Sequence, residues 1–378
     1  MHPEFQQLMN QATRLTRSGD LAAATAAIQA ALRGGATAAP AREDDSDVID
    51  VEAWEVPEPA ARSAMAKAKA KATATATATA AGDDVAPPAD KPATAGDTFT
   101  AGSFRNAGGH RSYKLYVPPN AGAEPRPLVV MLHGCTQDAD DFAAGTAMNQ
   151  AARAQGFYVL YPVQSRETNP QKCWNWFKHN HQQRGRGEPE ILAGMTRAVI
   201  DSHAIDPQRV YVAGLSAGGA MAAILAGAYP DLFAAAGVHS GLAAGVATDL
   251  PSALSAMKGA GIHTAGQAAS GVPTIVFHGD RDATVHPGNG QAVAAASAGA
   301  AAPVETCRVP GAGGKRHSTR YLYRNPKGDI SAERWEIHGA GHAWAGGSAS
   351  GSYTDQSGPD ATAEMLRFFF ERSLGHQR

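Results

Sequence analysis

Residues 210–221 read VYVAGLSAGGAM, and this stretch decides how the rest of the chain is interpreted. An apolar run ends in a G-x-S-x-G segment, and a small-residue pattern typical of a helix continues to about Tyr229. Strand, G-x-S-x-G and helix in this order hold a serine on a strained turn above a parallel sheet, with its hydroxyl exposed. Ser216 is therefore the candidate nucleophile. The alternatives are a chance match in a glycine-rich chain and a helix start that Ser216 merely caps.

Composition limits the classes of function. The 378 residues are 43% hydrophobic and 18% charged, which is enough to bury a full core. A net charge of -2 provides no basic patch for nucleic acid, so we expect no nucleic-acid partner. Residues 210–229 are apolar enough to suggest a membrane span, but their clustered glycines and the following Pro230 and Asp231 favour a buried strand and helix instead.

Three regions differ in composition. Apolar residues at helical spacing predict a small helical hairpin over residues 1–34. Residues 35–97 are rich in Ala, Thr, Pro and Lys with few large apolar side chains, which predicts a disordered linker. A larger folded domain then occupies residues 98–378. The first twenty residues lack the basic start and apolar core of a secretory signal, which by itself predicts a cytoplasmic protein.

Strand and helix patterns alternate through this domain. Apolar runs predict strands at 112–117, 128–132, 157–161, 210–215, 235–238, 274–277, 304–309 and 334–337. Helical patterns cover residues 190–205, the stretch after Ser216, 290–302 and 361–374. Such alternation predicts an α/β fold with a mostly parallel sheet covered by helices on both faces. Reactive residues in such sheets lie in the loops after the strands.

A serine nucleophile needs a base and a carboxylate to orient that base. HGDRDATV (278–285) follows one strand and HGAGHAW (338–344) follows another, in the chain order Ser, Asp, His. We assign Asp282 as the carboxylate and His342 as the base. Asp280 and His338 are the competitors. We interpret Asp280 as a residue that caps or braces its own loop, and His338 as a structural residue that directly ends a strand.

The oxyanion of an acyl-transfer intermediate needs two backbone N–H donors. The residue after the nucleophile, Ala217, should supply one, and Cys135 in the HGCTQ loop after residues 128–132 should supply the other. An ordinary strand-ending turn is the alternative for that loop. We expect His133, Trp174 and Trp344 to contact the substrate, with core packing as the alternative for the aromatic CWNWF segment.

Cysteine and histidine spacing gives no metal site. Three cysteines, Cys135, Cys173 and Cys307, are too few for a disulfide scaffold, and the sequence leaves open whether Cys135 pairs with Cys173. The H-x-H of His179 and His181 lies among polar residues and reads as a solvated loop. We therefore predict neither a metal nor a cofactor.

Several separated motifs resemble one family, that of poly(3-hydroxybutyrate) depolymerase esterases, which includes feruloyl and acetylxylan esterase-like members. They are LHGCTQDADDFAAGTAMN (132–149), CWNWF (173–177), RGRGEPEILAGM (184–195), RVYVAGLSAGGAMAAILAGAYPDLFAAAGVHSG (209–241), HGDRDATV and HGAGHAWAGGSASGSYTDQSGPDAT (338–362). The resemblance covers about residues 105–375 and implies an α/β-hydrolase fold with a Ser216, Asp282 and His342 triad. It also implies an extracellular location as the alternative to the cytoplasm.

The function predicted is therefore hydrolysis of a short-chain hydroxyalkanoate polyester or oligoester through an acyl-enzyme. Feruloyl or acetylxylan esterase activity is the alternative within the enzyme class. A catalytically idle granule- or partner-binding protein is the alternative of another class, because residues 1–34 could tether the chain to a polymer granule.

Overall fold

A computed structural model of the chain describes residues 96–260, 271–299, 305–325 and 327–376. The predicted hairpin at 1–34 and nearly all of the predicted linker at 35–97 lie outside the described residues, so both stay predictions. The domain limits likewise stay a prediction. Within the described ranges the first strand begins at Thr98.

Ten strands of the described residues form one sheet. They are β1 (Thr98–Asn106), β2 (Gly109–Val117), β3 (Arg126–Leu132), β4 (Tyr158–Val163), β5 (Ile205–Leu215), β6 (Ala235–His239), β7 (Thr274–Gly279), β8 (Glu305–Val309), β9 (Ser318–Arg324) and β10 (Ile330–Ile337). Their order is β1-β2-β4-β3-β5-β6-β7-β10-β9-β8. The six central strands from β4 to β10 pair in parallel, and the two pairs at each side of the sheet are antiparallel. Two short strands, β11 (Trp344–Ala345) and β12 (Thr354–Asp355), pair separately.

Helices cover both faces of this sheet. They are α1 (Ala139–Thr146), α2 (Met148–Gln155), α3 (Gly187–Ser202), α4 (Ala217–Ala228), α5 (Leu250–Met257), α6 (Gly288–Ala298) and α7 (Ala361–Phe370). Successive side chains of a strand point to opposite faces. On β3, Leu128 and Val130 accordingly pack with α3 and α4, whereas Val129 and Met131 pack with α1, α2 and α7. This two-sided burial confirms the predicted α/β-hydrolase fold and explains the unbroken apolar run of the strand.

Within the described residues, all the predicted elements are present, and several further elements were not predicted. Every predicted strand and helix is present, with limits that shift by a few residues; β5, for example, begins at Ile205 rather than at Val210. Sequence reasoning missed β1, β9, the two-stranded β11–β12 pair and the short helices α1, α2 and α5. Among the described residues, no helix combines the length and apolarity that crossing a membrane requires.

Candidate active site

Ser216 lies at the turn between β5 and α4 in a conformation that L-residues rarely adopt. Its φ is 57° and its ψ is -117°, a backbone that costs free energy and persists only where the surroundings fix it. The Ser216 N–H donates to the His239 carbonyl at the end of β6, 2.9 Å away. Its side chain makes no hydrogen bond that caps α4. The hydroxyl of this half-buried, strained serine is therefore not occupied by helix capping and is free to react.

Glycines allow this turn to be so tight. A Cβ at Gly214 would lie 2.4 Å from backbone atoms of Gly218, and a Cβ at Gly218 would lie 2.0 Å from the carbonyl oxygen of Leu132. Neither side chain could be accommodated, since backbone rather than a flexible side chain stands in the way. The G-x-S-x-G spacing is therefore a steric requirement of a helix that starts directly against two strand ends.

The structure brings Asp282 and His342 together. His342 Nδ1 lies 2.7 Å from Asp282 Oδ2, and the carboxylate has no exposed surface. Asp282 Oδ1 accepts the N–H groups of Thr284 and Val285, at 2.9 and 2.8 Å. Burial alone would raise the pKa of Asp282, but the N–H groups of His278 and His342 lower this pKa by more, so it lies well below its usual value. The carboxylate stays ionised and holds the imidazole.

The two competing residues form a pair of their own. Asp280 Oδ2 lies 3.0 Å from His338 Nδ1, and Asp280 Oδ1 accepts the Gly339 N–H at 2.7 Å. The other ring nitrogen of His338 lies 2.8 Å from the Thr319 hydroxyl. Asp280 thus links the loop after β7 to the loop after β10, a connection that the sequence interpretation did not include.

Ser216 and His342 lie at the same edge of the sheet, since β5 and β10 are both parallel central strands. His239 connects their loops. Its carbonyl accepts from Ser216, and its Nε2 accepts the Ala345 N–H at 2.9 Å. The hydrogen bonds of the described residues do not include one between the Ser216 hydroxyl and His342. Such bonds are often long before substrate binds.

His239 itself is a neutral scaffold residue. Burial, together with the nearby His278 and His342, lowers the pKa of His239 to about 3. Its ring stacks between Phe277 and Trp344, with centroids 5.8 and 5.2 Å away. The sequence analysis assigned no role to His239, because no local signal marks its contact with both loops.

The predicted oxyanion loop lies beside the nucleophile. A Cβ at Gly134 would be 3.7 Å from the Ser216 Cβ. Within the part of the chain that the structure describes, the N–H groups of Cys135 and Ala217 donate no hydrogen bond. Backbone N–H groups that are shielded from water are seldom left unpaired. Two free N–H groups, one adjacent to Gly134 and one directly after Ser216, are what the predicted oxyanion site requires.

A disulfide joins Cys135 to Cys173, with Cα atoms 4.2 Å apart. This settles the pairing that the sequence left open. Two further bonds brace the same loop, from the Thr136 N–H to the Gln171 carbonyl at 2.7 Å and from Trp174 Nε1 to the His133 carbonyl at 3.1 Å. Residues 171–174, which include the start of the aromatic segment, therefore fix the loop that carries the candidate oxyanion donor.

The predicted substrate contacts require a correction. His133, Trp174 and Trp344 are buried, with exposed fractions of 1%, 0% and 0%, so none of them presents surface to a substrate in this conformation. Burial lowers the pKa of His133 to about 4, and its Nε2 accepts the Gln164 N–H at 3.1 Å. These residues pack behind the site. Aromatic composition alone does not distinguish a pocket wall from the core that supports it.

One group of described residues could in principle hold a cation. Ligand atoms of Asp280, Glu336 and His338 lie within 4.8 Å of one another. Each member already has protein partners, however: Glu336 contacts Arg334 and the Tyr321 hydroxyl, and both His338 nitrogens are engaged. The predicted H-x-H pair lies in a short 3-10 turn, His179–His181, where His181 faces Glu188.

The family model described as Esterase PHB depolymerase matches residues 111–298. The chain belongs to this family. Poly(3-hydroxyalkanoate) depolymerase C of Paucimonas lemoignei is 38% identical over 196 residues, which cover 49% of this chain and 47% of that protein. Feruloyl esterase B of Thermothelomyces thermophilus is 36% identical over 140 residues, which cover 37% of this chain and 47% of that protein. The chain spans about half the length of these curated relatives.

A solved structure has the same fold. The acetyl xylan esterase from Aspergillus awamori aligns with a TM-score of 0.53 and 24% identity, over 61% of this chain and 89% of that one. The likeness supports the α/β-hydrolase architecture of this family member.

Proposed function

We propose that this protein is a serine-dependent carboxylic ester hydrolase whose nucleophile is Ser216, whose base is His342 and whose orienting carboxylate is Asp282. The hydrogen bond of 2.7 Å between His342 and the buried Asp282 carries the proposal. That bond keeps a proton on Nδ1 of His342 and leaves Nε2 free to accept one. Ser216 lies at the same sheet edge with a strained backbone and a side chain that does not cap α4, and this supports the assignment.

The reaction proceeds by acyl transfer in two steps. His342 accepts the Ser216 proton as the serine oxygen attacks the ester carbonyl, and the N–H groups of Cys135 and Ala217 bind the oxyanion. Collapse of this intermediate expels the alcohol, which takes the proton from His342. Water then attacks the acyl-enzyme by the same route and releases the acid.

The preferred substrate is a short-chain hydroxyalkanoate polyester or oligoester. The similarity to a protein named poly(3-hydroxyalkanoate) depolymerase C supports this choice. Feruloyl or acetylxylan ester hydrolysis is the second candidate, and the similarity to feruloyl esterase B supports it. Granule binding by residues 1–34 remains a prediction, because those residues lie outside the part of the chain that the structure describes.

Ser216→Ala tests the mechanism. We expect hydrolysis of p-nitrophenyl butyrate to fall by at least about 10³-fold, because loss of a nucleophile removes the covalent route while binding persists. Ser240→Ala is the matched control, since Ser240 also has a positive φ and also follows a strand. Equal inactivity of the wild type and Ser216→Ala, with both binding polymer granules, would favour the idle binding protein.

Substrate class is tested by product release from a poly(3-hydroxybutyrate) suspension, methyl ferulate and acetylated xylan. Serine-dependent release of hydroxybutyrate is the expected result. Release of ferulate or acetate alone would retain the mechanism and replace the substrate.

The disulfide also bears on location. Structural disulfides persist in oxidising compartments and are rare in a reducing cytosol. The cytoplasmic prediction is therefore not supported, and we propose that the protein works outside the cytoplasm. The extracellular alternative that the family resemblance implies is consistent with this.

A further inference from the structure

His278 is a buried histidine beside the candidate triad that the mechanism above does not use. It ends the apolar part of β7, and its side chain is 1% exposed. Its Nε2 lies 2.9 Å from the Val285 carbonyl oxygen and 3.4 Å from Asp282 Oδ2. The role of this buried imidazole depends on which of its ring nitrogens donates a hydrogen bond.

The partners of the ring fix its tautomer. A carbonyl oxygen can only accept, so Nε2 of His278 must carry the proton that reaches Val285. Nδ1 is buried without a hydrogen-bond partner among the described residues. An unpaired lone pair there costs less than an unpaired, buried N–H on a charged ring. His278 therefore donates its hydrogen bond from Nε2.

The other side of the ring faces the first turn of α6. A Cβ at Gly290 would lie 2.9 Å from Nδ1 and 3.0 Å from the His278 Cβ. The positive end of the helix dipole favours a lone pair rather than a proton at Nδ1. Glycine at this position leaves room for the ring, and the helix therefore supports the same tautomer.

We infer that His278 is a positioning residue for Asp282, whose carboxylate it supports together with the loop that ends at Val285. The inference rests on the proposed serine mechanism. The Nε2–H holds the Val285 carbonyl, and the Val285 N–H in turn donates to Asp282 Oδ1 at 2.8 Å. Nε2 also lies 3.4 Å from Oδ2, the oxygen that receives His342, so the imidazole packs directly against the carboxylate. His278 thereby fixes the direction in which the carboxylate meets the base.

His278→Phe and His278→Gln test this role. Phenylalanine keeps a ring of similar size and removes the donor, whereas glutamine restores an N–H near the position of Nε2. For p-nitrophenyl butyrate we expect His278→Phe to lower kcat by about 10- to 100-fold, the effect of leaving a buried acceptor beside the triad without its hydrogen bond. KM should change little, because the substrate does not contact His278. His278→Gln should recover most of kcat.

Gly290→Ala provides an independent variant in case His278→Phe does not fold. The added methyl group displaces the ring without changing it, so kcat should fall while KM stays constant. Gly227→Ala is the matched control, because a Cβ at that helical glycine meets no atom within 4 Å.

The outcomes separate this inference from the mechanism it rests on. Loss of activity in Ser216→Ala together with wild-type kcat in His278→Phe overturns the positioning role alone. Equal loss in His278→Phe and His278→Gln also overturns it, since a donor would then not matter. Wild-type activity in Ser216→Ala overturns the proposed function itself.

Discussion

Two carboxylates two residues apart differ in what they contact. Asp282 meets His342 and two backbone N–H groups, whereas Asp280 meets His338 and Gly339. We expect Asp282→Asn to lower kcat by about 10⁴-fold, because an amide facing Nδ1 stabilises the wrong imidazole tautomer. Steady-state kinetics with a soluble p-nitrophenyl ester measures this loss.

Asp280→Asn is the matched control for that substitution. The amide oxygen can still accept the Gly339 N–H, so we expect kcat to stay within about tenfold of the wild type, since Asp280 acts only through the loop. A larger loss in Asp280→Asn than in Asp282→Asn would reverse the assignment of the two residues.

Residue-scale chemistry was only partly predictable from the sequence. The motif identifies Ser216, because its glycines are a local steric requirement. Asp282 and His342 are 60 positions apart in the sequence, and the parallel pairing of β7 with β10 places them together. His278 and His239 gave no signal as supporting residues, since their contacts arise from packing of several loops.

At the scale of elements, long apolar runs were predictable, whereas the strands β1 and β9 were not. β3 and β7 are buried on both faces, so burial itself dictates their composition. β1 is largely exposed and pairs with β2 alone, and β9 carries Arg, Ser and Thr near the opposite edge. Such strands form because a neighbouring strand supplies hydrogen-bond partners for their backbone, and the local sequence pattern does not show this.

The disulfide is the element-scale device that holds the oxyanion loop. It closes a loop with a sequence separation of 38 residues, for which the chain-entropy relation gives about 4 kcal/mol of stabilisation. We expect Cys135→Ser/Cys173→Ser to lower the free energy of unfolding by roughly this amount and to lower kcat through the loosened Cys135 amide. Urea unfolding and ester kinetics measure the two effects.

Cys307→Ser is the control for the disulfide variant, because Cys307 is the free cysteine of the described residues and lies on β8. It should leave both quantities unchanged. A reductant should reproduce the double variant in the wild type. Stability that does not respond to reductant would contradict a structural role for the bond.

At the scale of the whole molecule, buried histidines tie stability to pH. His133 and His239 are 1% and 0% exposed, and burial lowers the pKa of His133 to about 4 and that of His239 to about 3. An unfolded histidine has a pKa of about 6.5. Below that pH both histidines bind protons in the unfolded chain but not in the folded protein, so acid favours unfolding.

The size of this effect follows from the two shifts. Each histidine contributes stability that is complete above about pH 6.5 and is lost as the pH falls toward the folded pKa; at pH 5 the loss is about 2 kcal/mol per residue. Asp282 adds nothing in this window, because its lowered pKa matters only below about pH 4.

We therefore expect the free energy of unfolding to drop by about 4 kcal/mol between pH 7.5 and pH 5. Urea titrations at both pH values measure it, and His133→Gln should remove about half of the drop. A free energy of unfolding that is the same at both pH values would mean that these rings accept protons in the folded protein, and that their buried hydrogen bonds to Gln164 and Ala345 do not hold them neutral.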